Sequence, residues 1–169
     1  MTDMVFHQAI AQALRDNGAD IVFGVLGDAN LFMMNSFENV AGGKYISLCH
    51  ESGAITAANG YARVAERVGV ATVTCGPGLT NTITALVESV RDRTPLVLLA
   101  GDSPVRDREH LQAIDQSAVV QPTGAGFEQV RTPASVCEDV AMAFRRARTE
   151  RRPIVLNVPI EFQWQTVPY

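Results

Sequence analysis

Glu51 stands where a short apolar run gives way to a helical pattern, in the order His50-Glu51-Ser52-Gly53. A carboxylate there has two uses: it complements the positive end of the helix dipole, or, stripped of water by packing, it gains a raised pKa suited to holding a proton near neutral pH. The segment that follows, Gly53-Ala54-Ile55-Thr56-Ala57-Ala58-Asn59-Gly60, carries almost no bulky polar groups. It predicts a tightly packed helix start and a poorly solvated acid. His50 reads first as a hydrogen-bonded structural residue and second as another acid-base group.

Three further turns carry chemistry-bearing residues: Gly24-Val25-Leu26-Gly27-Asp28-Ala29-Asn30, Gly76-Pro77-Gly78-Leu79-Thr80-Asn81 and Gly101-Asp102-Ser103-Pro104. The second resembles a dinucleotide-binding G-x-G-x-x-G, but Asn81 stands where the third glycine belongs, and no G-x-x-x-x-G-K-[ST] phosphate loop occurs. A proline between two glycines instead predicts a rigid bend that brings backbone close to a flat ligand, or a tight turn with no ligand. Cys49, Cys75 and Cys137 form no C-x-x-C pair and sit in apolar segments, so buried reduced thiols are expected rather than a metal or redox site.

These turns need strands and helices to hold them. Val5, Phe6, Ala9, Ile10, Ala13 and Leu14 share one helical face, closed by Asn17-Gly18. Apolar runs predict strands at 21–25, 45–49, 70–75, 96–100 and 154–158, with a weaker candidate at 127–130. Helices are expected at 31–39 and 51–67, around Ile83 to Val90, and from Thr132-Pro133, an N-cap followed by an N1 proline. The alternation predicts a three-layer, doubly wound α/β domain with a mostly parallel sheet of about six strands and helices on both faces. In such sheets ligands bind beyond the carboxyl ends of the strands, where all four turns fall. Residues 102–121 break the rhythm and are expected to form a functional loop. Arg145, Arg146, Arg148, Arg151 and Arg152 read as a solvated helix end.

Composition sets the limits. With 169 residues, 47% hydrophobic and 19% charged, and a net charge of -4, the chain suits one soluble globular domain, and neither disorder nor nucleic-acid binding is expected. No apolar run approaches the ~20 residues that cross a bilayer, and MTDMVFHQAI lacks a secretory pattern, so a cytoplasmic protein with no membrane partner is expected.

Five segments in register resemble the N-terminal, pyrimidine-binding domain of thiamine diphosphate enzymes of the acetolactate synthase and benzaldehyde lyase type. They are His50-Glu51-x-Gly53-Ala54, Asn59-Gly60-Tyr61-Ala62-Arg63, Cys75-Gly76-Pro77-Gly78-Leu79-Thr80-Asn81, Asp92-Arg93-Thr94-Pro95-Leu96 and Leu111-Gln112-Ala113-Ile114-Asp115-Gln116. The resemblance implies that Glu51 meets ring nitrogen N1′ of the aminopyrimidine and activates the cofactor, that Val25, Gly27, Pro77 and Asn81 line the pyrimidine pocket, and that Gln112 approaches the reacting carbon. It implies a 2-keto acid or acyloin substrate and a homodimer or higher homo-oligomer.

Several positions depart from the family pattern. Leu26 replaces the usual proline and Asp28 adds a charge; Leu111 and Ala113 stand where many acetolactate synthases have phenylalanine and glutamate; and the paired histidines of pyruvate-decarboxylase-type members are absent. The family holds the diphosphate through magnesium on a separate domain with a G-D-G motif, which this sequence lacks. The expectation is therefore a single domain over residues 1–169, part of a longer protein, that is inactive alone and needs a diphosphate-binding domain of the same or a partner chain. The rival readings are the alpha subunit of a two-subunit 2-keto acid decarboxylase, a nucleotide-binding Rossmann domain, and a non-catalytic assembly module.

Overall fold

A computed structural model describes residues 3–107 and 109–169; Arg108, inside the predicted loop, and residues 1–2 lie outside the described residues. The chain opens with β1 (Asp3–Val5), α1 (Phe6–Asp16), β2 (Ile21–Gly24), α2 (Leu31–Asn39), β3 (Lys44–Ser47) and α3 (Glu51–Ala65). It continues through β4 (Gly69–Val73), α4 (Pro77–Thr80), α5 (Ile83–Arg91), β5 (Leu96–Asp102) and α6 (Gln116–Val120). It closes with β6 (Gly126–Gln129), α7 (Val136–Glu150), β7 (Pro153–Pro159) and β8 (Thr166–Pro168).

Six strands form a parallel sheet in the order β3-β2-β4-β5-β7-β6. The most continuously apolar strands lie inside it: β5 and β7 pair along their full length and are buried almost throughout. Their side chains alternate between two cores, as a period of two demands. Val97, Leu99, Ile154, Leu156 and Val158 join Phe6, Ile10, Leu14, Phe37 and Phe144 of α1, α2 and α7 on one face. Leu96, Leu98, Ala100 and Val155 join Ala54, Ile55, Ala58 and Leu86 of α3 and α5 on the other. The small residues of α3 have a packing reason. A Cβ on Gly69 of β4 would collide with the Ala58 carbonyl, so helix and strand lie nearly backbone to backbone.

The chain runs outward from β2 to β3, then returns past β2 to β4, so the winding reverses between β2 and β4; crevices form at such points, beyond the carboxyl ends of the strands. Glu51 starts the helix that follows β3, and the Gly-Pro-Gly turn follows β4.

Several boundaries differ from the expectation, each for a local reason. The loop predicted over 102–121 contains α6, because the Asp115 side chain accepts from Ala118 N–H at 2.9 Å and caps it. Thr132-Pro133 opens a 3-10 turn before α7, with Thr132 and Ser135 bonded reciprocally in a capping box. Strands β1 and β8 pair antiparallel with each other; at three residues each they are too short to show a period. The arginines near the end of α7 are not one solvated group. Arg146 and Arg152 bind Glu150, whose carboxyl the Arg146 guanidinium holds down to about 2, whereas Arg148 and Arg151 line a cleft.

Arg151 terminates α7 with φ 50°, a left-handed conformation in which a side chain is strained and glycine is not. Arg151→Gly is expected to stabilise the chain by about 0.5–1 kcal/mol, the strain relief less the extra entropy of glycine in the unfolded chain. Thermal denaturation should show a rise of about 2 °C.

Candidate functional site

The turn after β2 is held by a residue the sequence reading did not single out. Asn30 is fully buried. Its Oδ1 accepts from Gly27 N–H at 2.8 Å, and its Nδ2 donates to the Val25 carbonyl and to Thr72 Oγ1, both at 3.1 Å. One side chain thereby closes the turn and fixes it to β4. A Cβ on Gly27 would lie 2.7 Å from the Thr74 side chain, and one on Gly101 would collide with Ala29. The Val25-to-Ala29 turn is therefore seated directly on the ends of β4 and β5.

After β3, His50 is the N-cap of α3, its Nδ1 accepting from Ser52 N–H at 3.1 Å, which is the structural role weighed for it. Glu51 follows as the first helical residue. Its Oε2 accepts from Asn81 Nδ2 at 3.0 Å, while Ser52 Oγ donates to the Asn81 carbonyl. Asn81 itself ends α4, so the start of α3 is clipped to the Gly-Pro-Gly turn by two bonds to one residue. Glu51 Oε1 has no hydrogen-bond partner among the described residues. The carboxylate is half-buried, so the expected poor solvation of this acid is not met in the single chain: Ala54, Ile55 and Ala58 bury the inner face of α3, while Glu51 stands at its open end.

The turn after β4 depends on Gly76, at φ 58° and ψ -108°. Its N–H donates to Gln116 Oε1 at 3.0 Å, and the long loop lies so close that a Cβ would collide with the Gln112 carbonyl. Gln112 is turned to the same place: Cys75 Sγ donates to its Oε1 at 3.2 Å. Gln116, buried and also missed in the sequence, joins this turn to Gly101 O at 2.9 Å and to Asn157, which donates to Asp102 Oδ2 at 2.6 Å. Of the expected site residues, Glu51 and Asn81 touch, Pro77 shares the Asn81 turn, Gln112 packs on Gly76, and Val25 and Gly27 occupy the neighbouring strand end. Leu26, Leu111 and Ile114 are exposed on the same loops, Leu111 completely.

The thiols differ from the expectation of three buried groups. Cys75 is buried and Cys137 half-buried, and burial pushes both thiols up, whereas Cys49, beyond the end of β3, is exposed. A thiol-reactive disulfide at neutral pH should therefore modify one cysteine quickly and two only slowly, with all three reacting at once in denaturant. Equal rates for the folded chain would contradict this burial.

An acid at a helix start, held by an amide beside a rigid Gly-Pro-Gly turn, stands at the reversal of a parallel sheet, where open α/β domains form a ligand crevice beyond their strand ends. The chain belongs to the family described as thiamine pyrophosphate enzyme, N-terminal TPP binding domain, whose model matches residues 4–119. It is 33% identical over 155 residues to an acetolactate synthase large subunit of Lactococcus lactis, covering 90% of this chain and 27% of that protein. It is 32% identical over 162 residues to the sulfoacetaldehyde acetyltransferase of Castellaniella defragrans, covering 95% and 27%. With the 2-hydroxyacyl-CoA lyase 2 of Danio rerio it shares 32% over 157 residues, covering 91% and 25%. The chain thus spans about a quarter of the length of these curated relatives.

The residues fit one end of the cofactor that the family implies. Glu51 has a free oxygen to offer a ring nitrogen. For the other end, among the described residues no three His, Cys, Asp or Glu side chains come together to hold a metal ion. No helix of the described residues is long and apolar enough to cross a membrane.

Proposed function

We propose that this chain supplies the pyrimidine half of a thiamine diphosphate site in an enzyme that makes or breaks a carbon-carbon bond next to a carbonyl, acting on a 2-keto acid or acyloin. The observation that carries this reading is the Glu51 carboxylate, anchored through Oε2 by Asn81 and free at Oε1, beside the Gly76-Pro77-Gly78 turn. The names of the relatives, a synthase, an acetyltransferase and a lyase, support the reaction class.

When bound, thiamine diphosphate supplies a thiazolium carbon that attacks carbonyl groups. Glu51 has the task of holding a proton at Oε1 towards N1′. Asn81 fixes the direction of that carboxyl, so no reorganisation is needed when the proton moves. Val25, Gly27 and Pro77 would present backbone and small apolar surface to the ring, and Gln112, on the loop against Gly76, would approach the reacting carbon. The diphosphate and its magnesium ion fall to a separate domain of the same or a partner chain. Exposed Leu26, Leu111 and Ile114 support closure of the pocket by a second subunit, since apolar side chains on binding loops favour association.

Titrating the chain alone with thiamine diphosphate and magnesium, with sedimentation to read its mass, tests this division of labour. Self-association, weak cofactor binding and no turnover of 2-keto acids are expected. Micromolar binding with turnover, or a strict monomer, would contradict it.

A further inference from the structure

At the opposite end of the sheet from Glu51, where Val68 and Pro95 lead into β4 and β5, a cleft of about 610 Å³ opens between the C-termini of α3, α5 and α7. Arg63, Arg67, Arg93, Arg148 and Arg151 line it, together with the acidic residues Glu66 and Asp92. We infer that this cleft binds a compact phosphorylated small molecule or polyphosphate, independently of the thiamine diphosphate site.

The charge is local and partly unused. The chain as a whole carries a net charge of -4, yet this cleft is positive. Arg63 pairs with Asp92 at 3.5 Å and Arg67 pairs with Asp20. Arg148 donates to the Asn17 carbonyl at 2.7 Å. Arg93 and Arg151 make no ion pair among the described residues.

Cations near helix C-termini ordinarily answer to unpaired carbonyls. Here two of the three helices close on their own backbone. Arg67 N–H reaches the Ala62 carbonyl at 3.2 Å and Thr94 N–H reaches the Ser89 carbonyl at 3.1 Å, the long bond of a Schellman wrap in each case. The wrap residues are Glu66 and Arg93, both at φ 54°, and α7 ends on Arg151 at φ 50°. Glycine suits those positions best, so arginine at two of them stands against the backbone's preference, and capping does not require its side chain.

The remaining geometry selects the ligand. The volume suits a small molecule, and arginines from three separate elements line it, a residue type whose planar fork matches phosphate oxygens. The lining contains Ala62, Val68, Thr94 and Pro95 but no aromatic ring, which favours phosphate on a small body over a stacked nucleobase.

The test is calorimetric titration of the chain with inorganic pyrophosphate and with tripolyphosphate at low ionic strength, without magnesium. The key variant is Arg93→Gly/Arg151→Gly, which removes two cations while relieving two left-handed positions, so the fold is kept. Arg145→Ala, an exposed cation of α7 outside the cleft, is the control. Saturable one-site binding is expected, weakened about tenfold for each arginine removed, unchanged by Arg145→Ala, and reduced by added salt. Absence of saturable binding, equal binding by the double variant, or tighter binding of a polyglutamate peptide overturns the proposal. Because Glu51→Gln should leave this binding intact, its outcome is separable from that of the cofactor reading.

Discussion

Glu51→Gln in the complete enzyme is expected to reduce kcat by about 10²- to 10⁴-fold, the range over which a positioned acid-base group acts. The amide is nearly isosteric and its oxygen still accepts the Asn81 hydrogen bond now made by Oε2, so the clip between α3 and the Gly-Pro-Gly turn survives. Thermal stability should therefore stay close to that of the parent. What is lost is the exchangeable proton at the free oxygen, which an amide cannot supply to a ring nitrogen. Since Asn81 holds the carboxylate in place, Asn81→Ala should also lower kcat, by less, through loss of direction rather than of the proton. Turnover near the parent level in Glu51→Gln would remove this residue from the mechanism.

Gly76→Ala carries the other large effect, on stability first. The residue sits at φ 58° and ψ -108°, a region closed to side chains, and a Cβ there would run into the Gln112 carbonyl. Backbone strain of about 1–3 kcal/mol and a comparable overpacking cost add to a loss of about 2–6 kcal/mol. For a chain of this size that corresponds to a fall in melting temperature of roughly 10 °C. Release of the Gln112 loop should also uncover Cys75, turning a slow thiol into a fast one. A variant with unchanged melting temperature and a protected Cys75 would show that the loop does not rest on this glycine.

Features whose cause is local were legible in the sequence. The apolar runs of β5 and β7 announced central strands because both faces of each are covered, and the place of Glu51 at the start of α3 was readable from the strand-to-helix junction ahead of a small-residue segment. Features whose cause is closure of the sheet were not. Asn30 looks like any turn asparagine until β4 brings Thr72 beneath it, and Gln116 looks like a polar loop residue until α6 carries it under Gly76. Two of the segments that carried the family resemblance lie away from the Glu51 end of the sheet. Asn59 bonds Ser89, Asp92 and Thr94, and Arg63 pairs with Asp92, so these residues clamp α3 to α5. The expected burial of Glu51 failed for a related reason: packing along α3 was readable from its alanines, but cover over its open end is not supplied by the helix itself.

The central claim is that Glu51 meets N1′ of the aminopyrimidine. Nitrogen NMR of the complete enzyme loaded with thiamine diphosphate labelled at N1′ reads that contact directly. The account predicts an N1′ signal displaced by a hydrogen bond from a carboxyl group, returning towards that of the free cofactor in Glu51→Gln while the cofactor stays bound. An N1′ signal identical in the parent and in Glu51→Gln, with cofactor bound in both, would contradict it.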